Sequence, residues 1–420
     1  MAGPFVTATR RQRLMRLLDG SSGLTAGRLF GAALNAVWLV FLARQLSLPH
    51  FANLVVILAV AAVTTSITEG GLQFVLTEHS ARIGGLDLDA LRSALRRRET
   101  VLLVASPVVL LAITLLMPSR DLIAAVLIFP SILATPVYEM VLSARRGLGR
   151  LGAEAINESA SRLFVIGLGV VLVLLGGDLR AVVFVYSLAD VVSATVVWYR
   201  ARRHWDTGVR APLDVSMAST RALAGMSVVG VVLQRIDVVL LAALGSASDV
   251  ARLGAIGRIR DTIQLPAQGV AALAVHHTAN TNDERAVRRR LLTRGVGVAL
   301  VAAVAVGLAA EPMLRIAFGD EFSPAAGALR LFAVAAVPAA AATVLLPMVA
   351  LRRRVSALVC QVATLAVVLV GDVVFIPGHG LSAVAATALV AQMVATGLLG
   401  ANLRTSATAV SPVTAEAGTC

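Results

Sequence analysis

Charge is scarce in this sequence. Only 15% of its 420 residues are charged, whereas soluble globular domains carry about 25%. A hydrophobic content of 58% and a mean hydropathy of +0.84 point the same way. The two cysteines, Cys360 and Cys420, are too few for a disulfide framework and lack the spacing of metal ligands. The composition excludes a soluble globular domain and indicates a polytopic membrane protein.

Lysine is absent altogether. All 37 basic residues are therefore arginines, and the net charge of +13 rests on a side chain that stays protonated and can bind phosphate in a bidentate manner. A strongly basic balance often signals nucleic-acid binding. Here the arginines lie between apolar runs, so membrane orientation explains them better, and we expect no nucleic-acid partner.

The sequence also lacks the usual catalytic motifs: it has no P-loop, zinc motif or nucleophile elbow. The Gly-Leu-Gly-Arg-Leu-Gly run at 147–152 matches a dinucleotide-binding pattern, but it follows an apolar run and has no strand before it. No segment between apolar runs is long enough for a catalytic domain. These absences argue against an enzyme, and we expect no metal and no cofactor.

Apolar runs of about 20 residues, each long enough to cross a bilayer as a helix, dominate what is present. The predicted spans are 24–46, 51–77, 100–117, 121–143, 154–176, 180–199, 221–244, 250–277, 295–313, 326–350, 355–376 and 380–402. Arginine clusters fall at the N-terminus and in every second loop, which is the positive-inside pattern. The sequence therefore predicts an all-α protein with twelve spans and both termini in the cytoplasm.

An internal repeat appears when the chain is compared with itself at an offset of 199 residues. Arg28, Gly31, Asn35 and Trp38 of the first span then align with Ser227, Gly230, Gln234 and Asp237 of the seventh. Each set lies on one side of a helix. The repeat predicts two six-helix lobes around a central cavity, with spans one, two, seven and eight nearest to it.

The corresponding division of the chain has five parts. We expect a cytoplasmic N-terminal segment (1–20), an N-terminal lobe (21–203), a cytoplasmic linker (204–219), a C-terminal lobe (220–403) and a disordered cytoplasmic tail (404–420).

Five charged residues lie within the seventh and eighth spans: Arg235, Asp237, Arg258, Arg260 and Asp261. A charge near the middle of a bilayer costs roughly 2.5–3.5 kcal/mol on insertion scales, so these side chains need partners, water or a ligand. They can form salt bridges that fix helix packing, or the arginine excess can line a site for an anion. Both interpretations stay open.

Several further polar residues are candidates for the same cavity. Gln264 and Gln268 continue the polar stripe of span eight, and Asn35 lies in span one. Arg28 has no acidic residue within one turn, so its partner is a phosphate or another helix, unless it reaches the membrane surface.

Three solitary acids, Glu69, Asp190 and Asp372, lie within spans two, six and eleven. A buried carboxyl group can take up a proton and couple transport to it, or it can serve only as a structural partner. Coupling to H⁺ or Na⁺ through these residues stays open.

Four segments resemble the Wzx-type polysaccharide flippases of the multidrug/oligosaccharidyl-lipid/polysaccharide exporter superfamily. They are FLARQLSLPHFANLVVILAVAAVTTSITEGGLQFVLTEHSAR (Phe41–Arg82), QRIDVVLLAALGSASDVARLGAIGRIRDTI (Gln234–Ile263), LRIAFGDEFSPAAGALRLF (Leu314–Phe332) and FIPGHGLSAVAATALVAQ (Phe375–Gln392). Their order and spacing cover nearly the whole chain. One departure is Ala52, where the family favours glycine.

The resemblance implies two six-helix lobes whose cavity faces alternate sides of the bacterial plasma membrane. It also implies transport of undecaprenyl-pyrophosphate-linked oligosaccharides from the inner to the outer leaflet. Expected partners are the lipid-linked oligosaccharide, membrane lipid and the polysaccharide polymerase machinery. On this basis Arg28, Arg235 and Arg258 are expected to contact the pyrophosphate, with Asp237 and Asp261 orienting them or the sugar, and Arg260 nearby.

Three alternatives remain. A multidrug or cation antiporter of the same fold would favour an acidic cavity, which the arginine excess opposes. A peptidoglycan-precursor flippase of the same superfamily has fourteen rather than twelve spans. A scaffold protein that transports nothing would need no polar cavity.

Overall fold

The computed structural model describes residues 21–85, 87–148, 152–202, 218–280 and 284–408. Within these ranges the regular structure is helical throughout. The N-terminal half contains helices α1 (Ser21–Gln45), α2 (Leu48–Glu69), α3 (Leu72–Ile83), α4 (Leu88–Leu116), α5 (Leu122–Leu127), α6 (Phe129–Gly147), α7 (Gly152–Leu174) and α8 (Leu179–Arg202).

The C-terminal half contains helices α9 (Ala218–Leu244), α10 (Ala247–Asn280), α11 (Glu284–Phe318), α12 (Ala326–Arg352) and α13 (Arg354–Thr408), with a 3₁₀ turn at Asp320–Ala325. Helix α13 contains two spans that meet at Gly380, whose φ of 52° and ψ of −130° are not helical. The predicted all-α architecture of twelve spanning helices in two lobes is confirmed.

Two of the predicted spans are broken rather than continuous. The second span divides between α2 and α3 at Gly70 and Gly71, which have φ angles of 49° and 76° that glycine adopts at little cost. The fourth span divides at Ile128, whose φ and ψ stay helical, because Pro130 supplies no backbone N–H for the carbonyl of Val126.

The boundaries of the predicted division are only partly visible. Residues 1–20 and most of the predicted linker lie outside the described residues. Helix α13 continues to Thr408, inside the predicted tail, and residues 409–420 lie outside the described residues, so the predicted disorder of 404–420 stays a prediction.

Eight helices in the described part of the chain are long and apolar enough to cross a membrane, and the stretch Arg354–Leu403 is long enough for two passes. Helix α10 is not among them, because its arginines, aspartates and glutamines lower its hydropathy. Strongly exposed apolar side chains are frequent on α4 and α11, the third spans of the two lobes, for example Leu103 at 75% and Leu308 at 80% exposure. We therefore place α4 and α11 against the lipid.

The two lobes use corresponding helix pairs. In the N-terminal lobe α2 packs on α4 and α3 packs on α6; in the C-terminal lobe α10 packs on both α11 and α12. Contacts between the lobes come mainly from α2 against α9 and α10. Buried alanines are numerous in this core, and such small side chains let membrane helices approach closely.

Candidate functional site

A cavity of about 60 Å³ lies between the lobes. Its N-terminal wall is apolar and consists of Leu39 on α1 with Val55, Leu58 and Ala59 on α2. Its C-terminal wall carries the polar side chains Gln234, Arg235, Asp237, Arg258 and Arg260 from α9 and α10. We call this space the charged cavity. The four helices that line it are spans one, two, seven and eight.

Of the three arginines that line this cavity, Arg260 has the most interaction partners. Its Nη1 donates to Oδ2 of Asp237 at 3.0 Å, and its Nε lies 3.8 Å from Oδ1 of Asp261. Its guanidinium carbon lies 5.2 Å from the ring centroid of Phe332, a cation–π distance. Because the side chains of Arg260 and Asp237 are only 16% and 7% exposed, this pair is a buried salt bridge that joins α10 to α9.

Arg235 and Arg258 are less well compensated. Arg258 contacts Asp261 at 3.8 Å, a distance longer than that of a strong bidentate pair. Within the described residues Arg235 has neither an ion pair nor a side-chain hydrogen bond. Arg235 repels the charge of Arg258. The wall therefore presents two guanidinium groups with unused donors to one small space.

The remaining predicted cavity residues are distributed around this centre. Asp261 bridges Arg258 and Arg260, and Gln264, one turn further along α10, lines a different cavity. Gln268 is exposed and Asn35 is half-buried on α1; neither lines the charged cavity. The Arg28 side chain lies outside the described part of the chain.

The lobes touch each other at both ends of the bundle. At the end that carries the arginine clusters, which we call the arginine-rich end, Gly71 packs directly on Ala224 of α9; a Cβ on Gly71 would lie 2.3 Å from the Ala224 Cα. At the opposite end Val55 packs against Gly254, and Phe51 contacts Phe322 edge to face at 6.0 Å. The charged cavity is thus enclosed between two contacts.

Arg44 adds a polar link at that opposite end. Its Nε donates to the carbonyl oxygen of Ala317 at 2.7 Å, and its Nη2 donates to the carbonyl oxygen of Ile316. These carbonyls belong to the last turn of α11, where a cation is favoured by the helix dipole. An N-terminal-lobe arginine therefore caps a C-terminal-lobe helix.

Two of the predicted coupling acids lie in the N-terminal lobe. Glu69, the last residue of α2, accepts a hydrogen bond from Gln73 at 2.6 Å through Oε2, while its buried Oε1 has no partner within the described residues. Asp190 accepts hydrogen bonds from the hydroxyls of Ser131 and Thr135. Asp190 therefore has structural partners, and Glu69 is only half satisfied.

The third acid, Asp372, lies in the C-terminal lobe and is 1% exposed. Asp237 lies close enough to repel its charge, and Thr387 stands beside it. Neither carboxyl oxygen makes a hydrogen bond of normal geometry within the described part of the chain. Asp372 is thus the least satisfied of the three acids.

Several polar residues that line a cavity in the structure were not predicted from the sequence. Gln361 and Gln392, single amides in the two spans of α13, line a cavity of about 170 Å³ with Gln234 and Gln264. A polar residue inside an apolar span was their only signal. An apolar groove of about 890 Å³ on α12 and α13 includes Val370 and Phe375. No cluster of possible metal ligands occurs among the described residues.

Comparison with solved structures identifies the fold. The chain is similar to the lipid II flippase MurJ in its inward closed conformation, with a TM-score of 0.74, 12% identity and coverage of 91% of this chain and 88% of MurJ. It is also similar to an inward-facing multidrug resistance MATE family transporter of the MOP superfamily, with a TM-score of 0.67, 16% identity and coverage of 92% and 96%.

A MATE structure in complex with MaD5 has a TM-score of 0.68, 16% identity and coverage of 93% and 98%. No curated protein matches the chain. The family model described as polysaccharide biosynthesis protein matches residues 17–275, which is more than half of the chain. The resemblance found in the sequence is thereby confirmed, and the chain belongs to the polysaccharide biosynthesis protein family.

Proposed function

We propose that this multi-pass membrane transporter flips a polyprenyl-pyrophosphate-linked oligosaccharide from the inner to the outer leaflet of the bacterial plasma membrane. Family membership and fold support transport rather than catalysis. The observation that carries the proposal is the C-terminal wall of the charged cavity, where Arg235 and Arg258 keep unused donors. A pyrophosphate cannot cross hydrocarbon unaided, and guanidinium groups bind it in a bidentate manner.

The other charges of the wall have a supporting role in this proposal. Arg260 is held by Asp237 and Phe332, so it contributes positive potential without being free to follow a substrate. Asp261 lies 3.8 Å from both Arg258 and Arg260 and orients the former only loosely. Arg28, on the first span, reaches the pyrophosphate from the other lobe in this scheme.

Transport requires that the two lobe contacts open alternately. The charged cavity, at about 60 Å³, is too small for an oligosaccharide in the described conformation. Separation of Gly71 from Ala224 would admit the substrate from the arginine-rich end. Release would require separation of Arg44 from the end of α11 and of Phe51 from Phe322. The arginine-rich end then faces the cytoplasm, as do both termini.

Asp372 is the acid best placed to couple this movement to H⁺ or Na⁺. Among the described residues its two buried oxygens have no hydrogen bond of normal geometry, and they lie close to Asp237, whose own charge is compensated by Arg260. A proton or a cation on Asp372 would remove the remaining repulsion. In vesicles, Asp372→Asn should abolish the response of transport to an imposed ion gradient; an unchanged response would exclude this site.

The function is tested by a flipping assay in vesicles with a short-chain polyprenyl-pyrophosphoryl oligosaccharide. The Arg235→Gln/Arg258→Gln variant should lose at least about 100-fold in rate, since a hydrogen bond to a charged group contributes about 1.5–3 kcal/mol. Arg315→Gln is the control, because Arg315 is exposed and pairs with Glu311 and Asp320. Normal flipping by the double variant would contradict the assignment.

The same assay distinguishes the alternatives. Export of an organic cation without flipping of any pyrophosphate lipid would identify a multidrug antiporter of this fold. Preference for a peptidoglycan precursor over other lipid-linked glycans would identify a precursor flippase. Absence of any transport would favour the scaffold interpretation. A pull-down of polymerase components would test the proposed partnership with the polysaccharide polymerase machinery.

A further inference from the structure

A second polar cavity of about 170 Å³ lies within the C-terminal lobe, closer than the charged cavity to the arginine-rich end. Its polar lining residues are Gln234, Gln264, Thr343, Gln361, Thr364 and Gln392, and we call it the glutamine pocket. The other lining residues are apolar, cysteine or glycine, so no charged side chain lines it. A single water needs roughly 10–15 Å³, so the pocket can hold a group larger than several waters.

The four amides come from separate spans: Gln234 from α9, Gln264 from α10, and Gln361 and Gln392 from the two spans of α13. None of them makes a side-chain hydrogen bond within the part of the chain that the structure describes. Gln361 Oε1 is fully buried without a partner. A buried polar atom that lacks a hydrogen bond costs about 1–3 kcal/mol, so a group that satisfies the Gln361 amide would be stabilised here.

The two threonines of the pocket complete its hydrogen-bonding pattern. Each hydroxyl donates to the carbonyl of its own helix at 2.8 Å, Thr364 to Cys360 and Thr343 to Ala339. Their oxygen lone pairs remain available as acceptors. Gly230 also lines the pocket, and a Cβ there would lie 3.8 Å from Gln361 Nε2, so a larger side chain at this position would enter the pocket.

This chemistry selects among ligand classes. Primary amides and hydroxyl oxygens offer paired donors and acceptors, which match hydroxyl groups that both donate and accept. Without a cation the pocket has no strong attraction for phosphate, and without an acid it has none for an organic cation. Gln234 lines both this pocket and the charged cavity, so the two spaces meet at one side chain.

We propose that the glutamine pocket binds the sugar joined to the pyrophosphate while Arg235 and Arg258 hold the phosphates. This inference rests on the proposed function and adds a subsite to it. The pocket would then set the preference for the first sugar, and the charged cavity would bind the part common to all polyprenyl-pyrophosphate substrates. Affinity for the lipid without sugar should be independent of the pocket.

The test compares dissociation constants of two kinds of ligand for the full chain in detergent. Farnesyl pyrophosphate lacks a sugar, and a panel of farnesyl-pyrophosphoryl hexoses carries glucose, galactose or N-acetylglucosamine. Gln361→Met and Gln392→Met remove the amides at similar volume. Gln45→Met, at the exposed end of α1, is the control for the substitution. Gly230→Leu fills the pocket and leaves all four amides in place.

For the wild-type chain, at least one sugar should bind more tightly than farnesyl pyrophosphate. Each Gln→Met change should reduce that gain about threefold to tenfold, and Gly230→Leu should remove it, with binding of farnesyl pyrophosphate unchanged. The proposal is overturned if no sugar in the panel adds affinity, or if the pocket variants weaken both ligands equally. Failure of the function itself would appear separately, as farnesyl pyrophosphate binding that does not depend on Arg235 and Arg258.

Discussion

Arg98 and Asp190 of the N-terminal lobe are compensated differently from Arg235 and Arg258 of the C-terminal lobe. In the N-terminal lobe Arg98 is 1% exposed and donates to the carbonyls of Ile132 and Leu133, and Asp190 accepts from two hydroxyls. In the C-terminal lobe Arg235 has no counter-ion among the described residues, and Arg258 has a distant one. A charge satisfied inside its own lobe maintains the architecture. A charge left open toward a cavity is available to a ligand.

The largest effect should follow from breaking the Arg260–Asp237 salt bridge, in which both charges are satisfied inside the C-terminal lobe. Arg260→Met leaves the buried Asp237 carboxylate without its counter-ion, close to Asp372. Removing one partner of a buried salt bridge costs about 3–5 kcal/mol. Thermal unfolding in detergent should show a large fall in Tm, and Asp237→Leu combined with Arg260→Met should restore most of it. A single variant as stable as the wild type would contradict this account.

A somewhat smaller effect is expected at Arg98 in the N-terminal lobe. Pro136 has no N–H for the Ile132 carbonyl, and Arg98 supplies the missing donor. Arg98→Met should lower the free energy of unfolding by about 2–4 kcal/mol. On a Pro136→Ala background, where a backbone N–H is restored, the same change should cost about 1 kcal/mol less.

Measuring both stability and transport of Arg98→Met distinguishes an arginine that stabilises the fold from one that binds substrate. Transport per folded molecule should be nearly normal in Arg98→Met. A specific loss of transport with normal stability would place Arg98 with the cavity arginines instead.

The sequence was informative about the helices and less so about their partners. Arginine clusters in alternate loops predicted twelve spans, and the 199-residue offset predicted which four line the cavity. The break at Gly70–Gly71 was missed because hydropathy continues through it. Arg260 and Asp237 are 23 positions apart in the sequence and lie on different helices. The periodicity within one helix cannot predict such a contact.

The roles of the site residues stay predictions, and the sequence alone could neither rank the cavity arginines nor find the glutamines. Arg235 and Arg258 differ from Arg260 only through tertiary contacts, so composition could not rank them. Gln361 and Gln392 stand alone in alanine- and valine-rich spans, where one amide forms no pattern. Their convergence depends on how α13 folds back at Gly380.

Two glycines with positive φ, Gly71 at the lobe contact of the arginine-rich end and Gly84 away from it, test whether this contact closes the cavity. Gly71→Ala places a Cβ 2.3 Å from Ala224 and should force the lobes apart, whereas Gly84→Ala has a similar positive φ of 68° and nothing within 4 Å. Both should lose about 1–2 kcal/mol to backbone strain. Only Gly71→Ala should increase the maleimide labelling of a cysteine placed at Leu58, measured in a chain without Cys360 and Cys420. Equal labelling of both variants would show that the Gly71–Ala224 contact does not close the charged cavity.

The smallest effect is expected at the opposite end. Arg44→Gln removes an exposed cap from the last carbonyls of α11 and should change transport only a few-fold, because exposed charge–dipole contacts contribute about 0.3–1 kcal/mol. The matched control is Arg330→Gln, whose contact with the Gly307 carbonyl at 3.4 Å stays within one lobe. Labelling of the Leu58 cysteine from the outer side should rise for Arg44→Gln alone.

The most direct test of the central claim is calorimetric titration of inorganic pyrophosphate into the full chain. The wild type and Arg92→Gln, an exposed arginine paired with Asp89 at 3.7 Å, should bind pyrophosphate equally. The Arg235→Gln/Arg258→Gln variant should bind at least about 100-fold more weakly with an unchanged Tm. Equal affinity in all three proteins would contradict the assignment of the charged cavity to an anionic substrate.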